Sequence, residues 1–424
     1  MSSLLLTAPL PREWPRKKLK YVANFVGGGT PDKSKPEFWN GDIPWVSPKD
    51  MKTDEIFETE DHISEEGLRS SAANLVEPGA ALIVVRSGIL RHSVPVAINR
   101  VAVALNQDMR ALIPGQSLEV GYLSRLIAGF QKELLRIWSK EGATVESLEY
   151  DLVASTEIPV PSVQEQRRII EYLDRETADI DTLIGAKQRL LDLLAEKRRA
   201  VIAEVVMRGL NLAAPLRPSG IDWLADIPTH WDIERSRWLF RERDERSETG
   251  TEEMLTVSHL TGVTPRSEKD VNMFEAESTV GYKLCFAGDL VINTLWAWMG
   301  AMGTARVDGI VSPAYNVYTP GPRLLPDYVD ALVRIPVFAQ EVTRYSKGVW
   351  SSRLRLYPEG FFETCWPVPP LDEQHEIVRH IAAETTKIDR LRAATEHSIT
   401  LLKERRGALI AAAVTGQIDI PEAA

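Results

Sequence analysis

Residues 158–183 read IPVPSVQEQRRIIEYLDRETADIDTL, and 208 positions later residues 366–391 read WPVPPLDEQHEIVRHIAAETTKIDRL. Aligned without gaps, 159–210 and 367–418 agree at 20 of 52 positions. The identities include Pro159/Pro367, Pro161/Pro369, Glu165/Glu373, Gln166/Gln374, Glu176/Glu384, Thr177/Thr385, Asp181/Asp389, Glu196/Glu404 and Arg198/Arg406. A gapless match of this length is an internal repeat, and it commits the chain to a fold with two equivalent parts.

Each copy has the period of a helix. Ile169, Leu173, Ile180, Leu183, Leu190, Leu194, Val201 and Val205 recur at three- and four-residue steps in the first copy, and Ile377, Ile381, Ile388, Leu391, Leu402 and Leu409 do so in the second. Ser162-Val-Gln-Glu165 reads as a capping box. In the second copy Pro370 replaces the serine, while Asp372 and Glu373 still suit a first helical turn. Gly209 and Gly416 mark the ends. Forty-odd residues at about 1.5 Å each make a rod of roughly 60–65 Å. A narrow apolar seam on such a rod needs a partner rod, so the two copies are expected to form an intramolecular coiled coil. Its seam is assigned to Ile169, Leu173, Ile180, Leu183, Leu194 and Val201 on one helix and Ile377, Ile381, Ile388, Leu391, Leu402 and Leu409 on the other. An antiparallel pair places one globular region at each end.

The regions before the two helices correspond weakly. EWPRKKLKYVA (13–23) answers HWDIERSRWLF (230–240), EPGAALIVV (77–85) answers FAGDLVINT (286–294), and NQDMRALIP (106–114) answers SPAYNVYTP (312–320). They read as short strands between turns. The expected fold is α+β: two mixed α/β domains joined by two long helices in an antiparallel coiled coil, related by a pseudo-twofold repeat. The segments are 1–160 (domain 1), 161–210 (long helix), 211–365 (a Pro-rich linker and domain 2) and 366–424 (long helix and tail).

A chain of 424 residues with 44% apolar and 26% charged residues fits a globular protein of two or three domains. No apolar run reaches the roughly 18 residues of a membrane span, and the start lacks the apolar stretch of a signal peptide. Cys285 and Cys365 are the only cysteines, which points to a reducing cytoplasm rather than a disulfide framework. The net charge of −10 hides local extremes. Residues 12–35 hold Arg12, Arg16, Lys17, Lys18, Lys20, Lys33 and Lys35 against Glu13 and Asp32; residues 344–355 hold Arg344, Lys347, Arg353 and Arg355 and no acid. Each cluster alone reads as solvated surface; together they leave nucleic acid open as a ligand.

Catalytic signatures are lacking. GGGTPDKSK has neither the second glycine nor the Lys-Ser/Thr pair of a phosphate loop. No Asn/Asp-Pro-Pro-aromatic motif of amino-methyltransferases occurs. Asp32 and Lys33 resemble a nuclease's acid and lysine, but the partner acids are not at the required spacing. His375 and His380 do not share a helix face.

IPVPSVQEQRRI, WPVPPLDEQHEI, SGIDWLADIPTHW, GGGTPDKSKPEFWNGDIPWVSPKDM and ALIAAAVTGQIDI resemble, in order and over almost the whole chain, the specificity (S) subunit of type I restriction-modification systems. The resemblance implies target-recognition domains near 12–160 and 217–365 and conserved helices 162–209 and 370–416. It implies a non-catalytic chain that binds double-stranded DNA at a bipartite target. Two methyltransferase (M) subunits would modify adenine N6 with S-adenosylmethionine, and two restriction/translocase (R) subunits would use ATP and Mg²⁺; this chain would bind no cofactor or metal and no membrane. Domain 2 has RERDERSETG where domain 1 has its glycine loop, so the two resemble different subtypes.

Base reading in the major groove takes Arg or Lys for guanine and Asn or Gln for adenine. The DNA-binding candidates are Lys33, Lys35, Lys49, Arg86, Arg91, His92 and Gln107 in domain 1, and Arg241, Arg243, Arg246, His259, Asn293, Trp296, Arg353 and Arg355 in domain 2. Trp298 is expected in the core. The rival reading is a coiled-coil scaffold joining two protein-binding domains without DNA recognition.

Overall fold

The structure, a computed structural model, describes residues 9–140, 145–268, 278–348 and 354–420. The chain divides into two compact units, Met1–Lys187 with His397–Ala424, and Gln188–Glu396. The long helices are Val163–Arg208, 46 residues, and Leu371–Val414, 44 residues; each contributes one part to each unit. Ser162 Oγ accepts the Glu165 N–H at 3.2 Å, the first half of the expected capping box, and Glu165 turns its carboxylate to Arg168, 3.0 Å away. Gly209 and Gly416 stop the helices at φ +74° and +67°, a left-handed conformation that favours glycine.

Within the first unit, Ile169 and Leu173 share a core with Ile410, Ala413 and Val414, while Asp181 meets Arg406 at 2.8 Å. The partner number falls as the helix number rises, so the helices run antiparallel. The second unit shows the same. Val205 and Val206 share a core with Ile377, and Arg198 meets Asp389 at 3.0 Å.

The seam is buried at Ile169, Leu173, Ile180 and Leu194 and at Ile377 and Ile388, and half-buried at Val201, Ile381, Leu402 and Leu409. Leu183 and Leu391 are corrections: they are 45% and 56% exposed. From Ile180 the seam takes a four-residue step to half-buried Ile184, and from Ile388 it steps to Arg392 and buried Thr395. The leucine at the three-residue step is left on the helix flank, as is Leu190. Buried Thr177 and Thr385 occupy seam positions too; each returns its hydroxyl to the carbonyl four residues back, at 2.8 Å and 2.7 Å.

Buried polar groups explain several of the repeat's identities. The Gln166 amide accepts Glu119 N–H at 2.8 Å and donates to the carbonyls of Ser117 and Pro161 at 2.9 and 2.8 Å. Gln374 accepts Leu325 N–H at 2.8 Å and donates to Arg323 and Pro369 at 2.8 and 2.9 Å. Tyr122 donates to the Val414 carbonyl at 2.9 Å, and Tyr328 to the aligned Val206 carbonyl at 3.0 Å. Both amides are fully buried, and a buried amide persists only when its donors and acceptors are matched. These bonds seat each sheet domain on the helices.

The first domain holds a five-stranded sheet ordered Ala23–Gly27, Met109–Pro114, Ala81–Val84, Val96–Asn99, Glu55–Ile56, antiparallel except for the last pair. A four-stranded sheet, ordered His62–Ile63, Trp39–Val46, Val103–Leu105, Leu75–Val76, is built from strands that interleave with these along the chain. The second domain has a four-stranded antiparallel sheet ordered Phe240–Arg243, Tyr315–Pro320, Leu290–Asn293, Met302–Thr304. In each unit the strand leading into a long helix pairs antiparallel with an early strand: Glu157–Pro159 with Arg16–Lys18, and Cys365–Val368 with Asp232–Arg235. Helices Val120–Gly129 and Gln131–Trp138 cover the first core, and Pro326–Val333 and Pro336–Tyr345 the second.

Candidate nucleic-acid interface

In the first domain, loops at strand ends bring several candidates together. The turn Gly88–Arg91 follows strand Ala81–Val84, and Asn106–Asp108 precedes strand Met109–Pro114. Arg86 meets Asp108 at 2.6 Å, and Gln107 donates to the same carboxylate at 3.4 Å while accepting the Thr30 hydroxyl. Thr30 belongs to the glycine loop. Gly28 would place a Cβ 2.2 Å from the Leu105 carbonyl oxygen and Gly29 one 2.6 Å from the Ala72 backbone, so both must lack a side chain. That close approach sets Thr30 against Gln107.

The remaining first-domain candidates differ in how far their charge is spent. Lys49 pairs with Asp61 at 2.8 Å and Glu60 at 3.2 Å, and these carboxylates hold its ammonium above the usual lysine range. Its charge is thus spent on Glu60 and Asp61. Arg91 lies 3.5 Å from Glu146. Lys35 rests over the Phe38 ring at 4.9 Å. Lys33 and His92 are exposed and show no ion pair among the described residues. Arg110 escaped sequence reading. Its guanidinium stacks at 4.8 Å over Tyr150, which is itself exposed and edge-on to Phe25. Only the fold reveals this pair, because 40 residues separate its members.

In the second domain two candidates become structural. Arg243 meets buried Asp289 at 2.8 Å, Glu245 at 2.7 Å and the Thr319 hydroxyl at 2.9 Å, with its guanidinium 4.7 Å over Phe286. Asn293 is buried; it donates to the Tyr315 hydroxyl at 3.2 Å and accepts Leu295 N–H at 3.2 Å, shaping the loop that follows. Arg246 pairs with Asp244 at 3.1 Å. Arg241, His259 and Arg355 are exposed with no ion pair among the described residues. Arg353 lies outside the described residues.

Trp296 is 51% exposed in the loop after strand Leu290–Asn293, flanked by exposed Leu295 and Met299. Trp298, expected in the core, is only half-buried: it stacks on Trp296 at 6.2 Å and donates its N–H to the Leu295 carbonyl at 3.1 Å. The short turn Ala297–Met299 buries only Ala297, and this rotates both indoles outward. Thr294 in this loop accepts Leu356 N–H at 3.2 Å, and Arg355 and Lys347 exchange backbone hydrogen bonds at 2.9 Å. The loop bearing the outward aromatic pair is thus hydrogen-bonded to the segment bearing Lys347 and Arg355, and rings with cations are a combination suited to bases and phosphates.

Asp32 accepts both the N–H and the hydroxyl of Ser34, at 2.9 and 2.8 Å, and the Ser34 N–H holds its carboxyl below the usual range. It caps a turn. Burial pushes the Cys285 thiol up to about 12, leaving no thiolate near neutral pH. Among the described residues no group of three or more His, Cys, Asp or Glu is placed to hold a metal ion, and no helix is long and apolar enough to cross a membrane.

Residues 11–191 match the family profile of the type I restriction modification DNA specificity domain. The chain is 43% identical over 175 residues to the type I restriction enzyme EcoR124I/EcoR124II specificity subunit of Escherichia coli, a match covering 41% of this chain and 42% of that one. It is 30% identical over 191 residues to the MjaIX specificity subunit of Methanocaldococcus jannaschii, covering 44% and 42%. The matched stretch thus spans about two fifths of the length of these curated relatives. A solved chain from work on complex assembly and conformational transition of the type I R-M system superposes with a TM-score of 0.71 over 97% of this chain and 100% of that one, at 16% identity, a likeness of fold. Over about two fifths of its length the chain thus resembles in sequence the specificity subunits of type I restriction-modification systems, and over nearly its whole length it shares the fold of a chain from such a system.

Proposed function

We propose that this chain is the non-catalytic DNA-reading subunit of a type I restriction-modification complex in the cytoplasm, one sheet domain reading each half of a bipartite, asymmetric target. The observation that carries this is the contrast inside the repeat. Gln166 and Gln374, Tyr122 and Tyr328, and the two Arg–Asp pairs make the same bonds, whereas the strand-end loops of the two domains carry unrelated residues. A shared framework with divergent tips suits two different half-sites. Identical tips would read an inverted repeat.

The framework also supports two equivalent partners. Leu183 and Leu391, and Leu193 and Leu401, are identical across the repeat and all exposed; each unit carries one member of each pair. Two adenine-N6 methyltransferase chains would dock there, and each would have to flip its adenine from the duplex. S-adenosylmethionine belongs on those chains, and ATP and Mg²⁺ on two restriction/translocase chains. The domain bounds 1–160, 161–210, 211–365 and 366–424 serve as the working division.

Methylation-sensitive sequencing of the host genome tests the reading. The expected result is one asymmetric motif with two unequal half-sites around a gap of unspecified bases. A palindromic or contiguous motif would overturn it. An assembled complex without salt-dependent retention on duplex DNA would favour the scaffold reading.

A further inference from the structure

Arg110 carries a charge that the first domain leaves unmatched. It lies on strand Met109–Pro114, across from Gly27 on one neighbour and Ile83 on the other, and Met109 faces Val84. At this end of the sheet the glycine loop leaves after Gly27, Val85–Ser87 leaves after Val84, and Asn106–Asp108 enters. Thr30, Arg86 and Gln107 sit on those segments, so Arg110 stands at the foot of the same loops. Its side chain is half-buried, and its Nε is shut off from water with no hydrogen-bond partner. Among the described residues no acid or carbonyl pairs with its guanidinium, and Asp108, two residues away, is taken by Arg86 at 2.6 Å.

A half-desolvated cation without an acceptor weakens the fold, since nothing replaces the water it has given up. The Tyr150 ring, 4.8 Å away, offsets part of that cost. Unlike an acid, a ring also fixes the plane of the guanidinium while leaving its N–H groups unspent. Tyr150 is itself held: it is edge-on to Phe25 at 5.5 Å, and Leu148, two residues before it, donates its N–H to the Val85 carbonyl at 2.8 Å. Gly27 keeps the neighbouring strand clear, because a Cβ there would stand 3.9 Å from Arg110 Nη2.

With Nε sealed, the usable edge is the Nη1–Nη2 pair. Two parallel donors in a fixed plane match a flat edge with two acceptors, and guanine presents one in the major groove, O6 with N7. A phosphate accepts such a pair too, but it asks for charge rather than a fixed plane. Exposed Lys17 and Lys33, without ion pairs among the described residues, supply that charge in this domain. The equivalent position in the second domain is Asn316, within SPAYNVYTP. It is buried and accepts the Lys283 ammonium at 3.5 Å, so the feature belongs to one half-site alone.

We propose that Arg110, its plane set by Tyr150, reads one guanine of the first domain's half-site through O6 and N7. This rests on the DNA-reading function proposed above and adds to it one base and the residue that selects it.

The test expresses the full chain with its cognate methyltransferase, as wild type or with Arg110→Gln, Arg110→Met, Tyr150→Phe or Tyr150→Ala. Genome methylation is compared, together with binding to duplexes altered at one position at a time. Wild type should require guanine at one position of one half-site. Arg110→Gln and Arg110→Met should lower the preference at that position by about 10-fold or more, leaving the other half-site, the salt slope and the melting temperature unchanged. Tyr150→Ala should weaken the same discrimination, and Tyr150→Phe, which keeps the ring, should retain it. An unchanged motif in both Arg110 variants would overturn the proposal. So would equal weakening on all sequences with a salt slope lower by about 1, which would assign Arg110 to a phosphate. Arg110 variants that both melt earlier and lose discrimination at every position would make the arginine structural, and that too would overturn it. A wild-type complex that neither methylates a motif nor holds duplex DNA would remove the underlying function, and this inference with it.

Discussion

Arg198 lies 3.0 Å from Asp389, and the pair is reproduced by Arg406 and Asp181 at 2.8 Å with the helices exchanged. The arginines align with each other in the repeat, and so do the aspartates. Each identity is therefore read twice, once from either side of the seam.

The two pairs should not be worth the same. Arg198 and Asp389 are 38% and 53% exposed, so Arg198→Ala should cost below about 1 kcal/mol. Arg406 is better covered, at 22%, and also reaches Asp54 at 3.6 Å, so Arg406→Ala should cost more. Urea unfolding midpoints would compare them, and the exchange Arg198→Asp with Asp389→Arg should restore most of what either change alone removes.

Leu173 and Leu183 look equivalent on a helical repeat but differ in burial. Leu173→Ala, at a fully buried site, should cost about 2–5 kcal/mol. Leu183→Ala, on the exposed flank, should stay within about 0.5 kcal/mol. Equal losses in thermal or urea melts would contradict the seam as described.

Burial separates the DNA candidates in the same way. Lys33→Ala and Arg355→Ala, at exposed sites without an ion pair among the described residues, should each lower the salt slope of DNA binding by about 1 while leaving the melting temperature unchanged. Arg243→Ala should act oppositely: it strands Asp289 in the core, costs about 1–3 kcal/mol of stability, and affects DNA binding only through that loss. Trp296→Ala should weaken binding with little change in salt slope, because stacking releases no counterions.

How much of this was legible beforehand depends on range. The two helices and their glycine ends were readable because those signals lie within a few residues, and the antiparallel pairing followed from a repeat with one globular region to each copy. Gln166 and Gln374 stood out as identities, but their role needed Ser117 and Arg323, each about fifty residues away and in diverged sequence. Leu183 misled because a three-residue and a four-residue step both suit a helix, and only the partner helix decides between them. The spent cations were invisible for the same reason. Arg86 and Asp108 are 22 residues apart, Arg243 and Asp289 are 46, and only strand register brings them together.

One buried acid gives the chain a pH signature. Glu341, in helix Pro336–Tyr345, is almost fully buried and accepts the Cys365 N–H at 3.2 Å; burial raises its carboxyl above the usual range. Above the raised value both folded and unfolded states are ionised, and the folded state bears the cost of the buried charge. As pH falls towards the ordinary glutamate range, the folded state takes up the proton first and that cost disappears. Glu341→Gln should therefore be at least as stable as wild type near pH 7, and its advantage should shrink on acidification. Melting curves across that range would show it, and an advantage that grows with acid would refute the assignment.

Ile410, Ala413 and Val414 complete the core that Leu82, Ile83 and Val84 begin, and Tyr122 donates to a carbonyl 292 residues downstream. During synthesis the first unit to be made is thus the last to be finished. It must wait, with part of its core open, until Ile410–Val414 leave the ribosome, whereas Gln188–Glu396 is complete in one uninterrupted stretch. Closure over so long a separation is slow, and the waiting surface is open to misassociation. Truncation before Ile410 would therefore injure the unit that is synthesised first more than Gln188–Glu396.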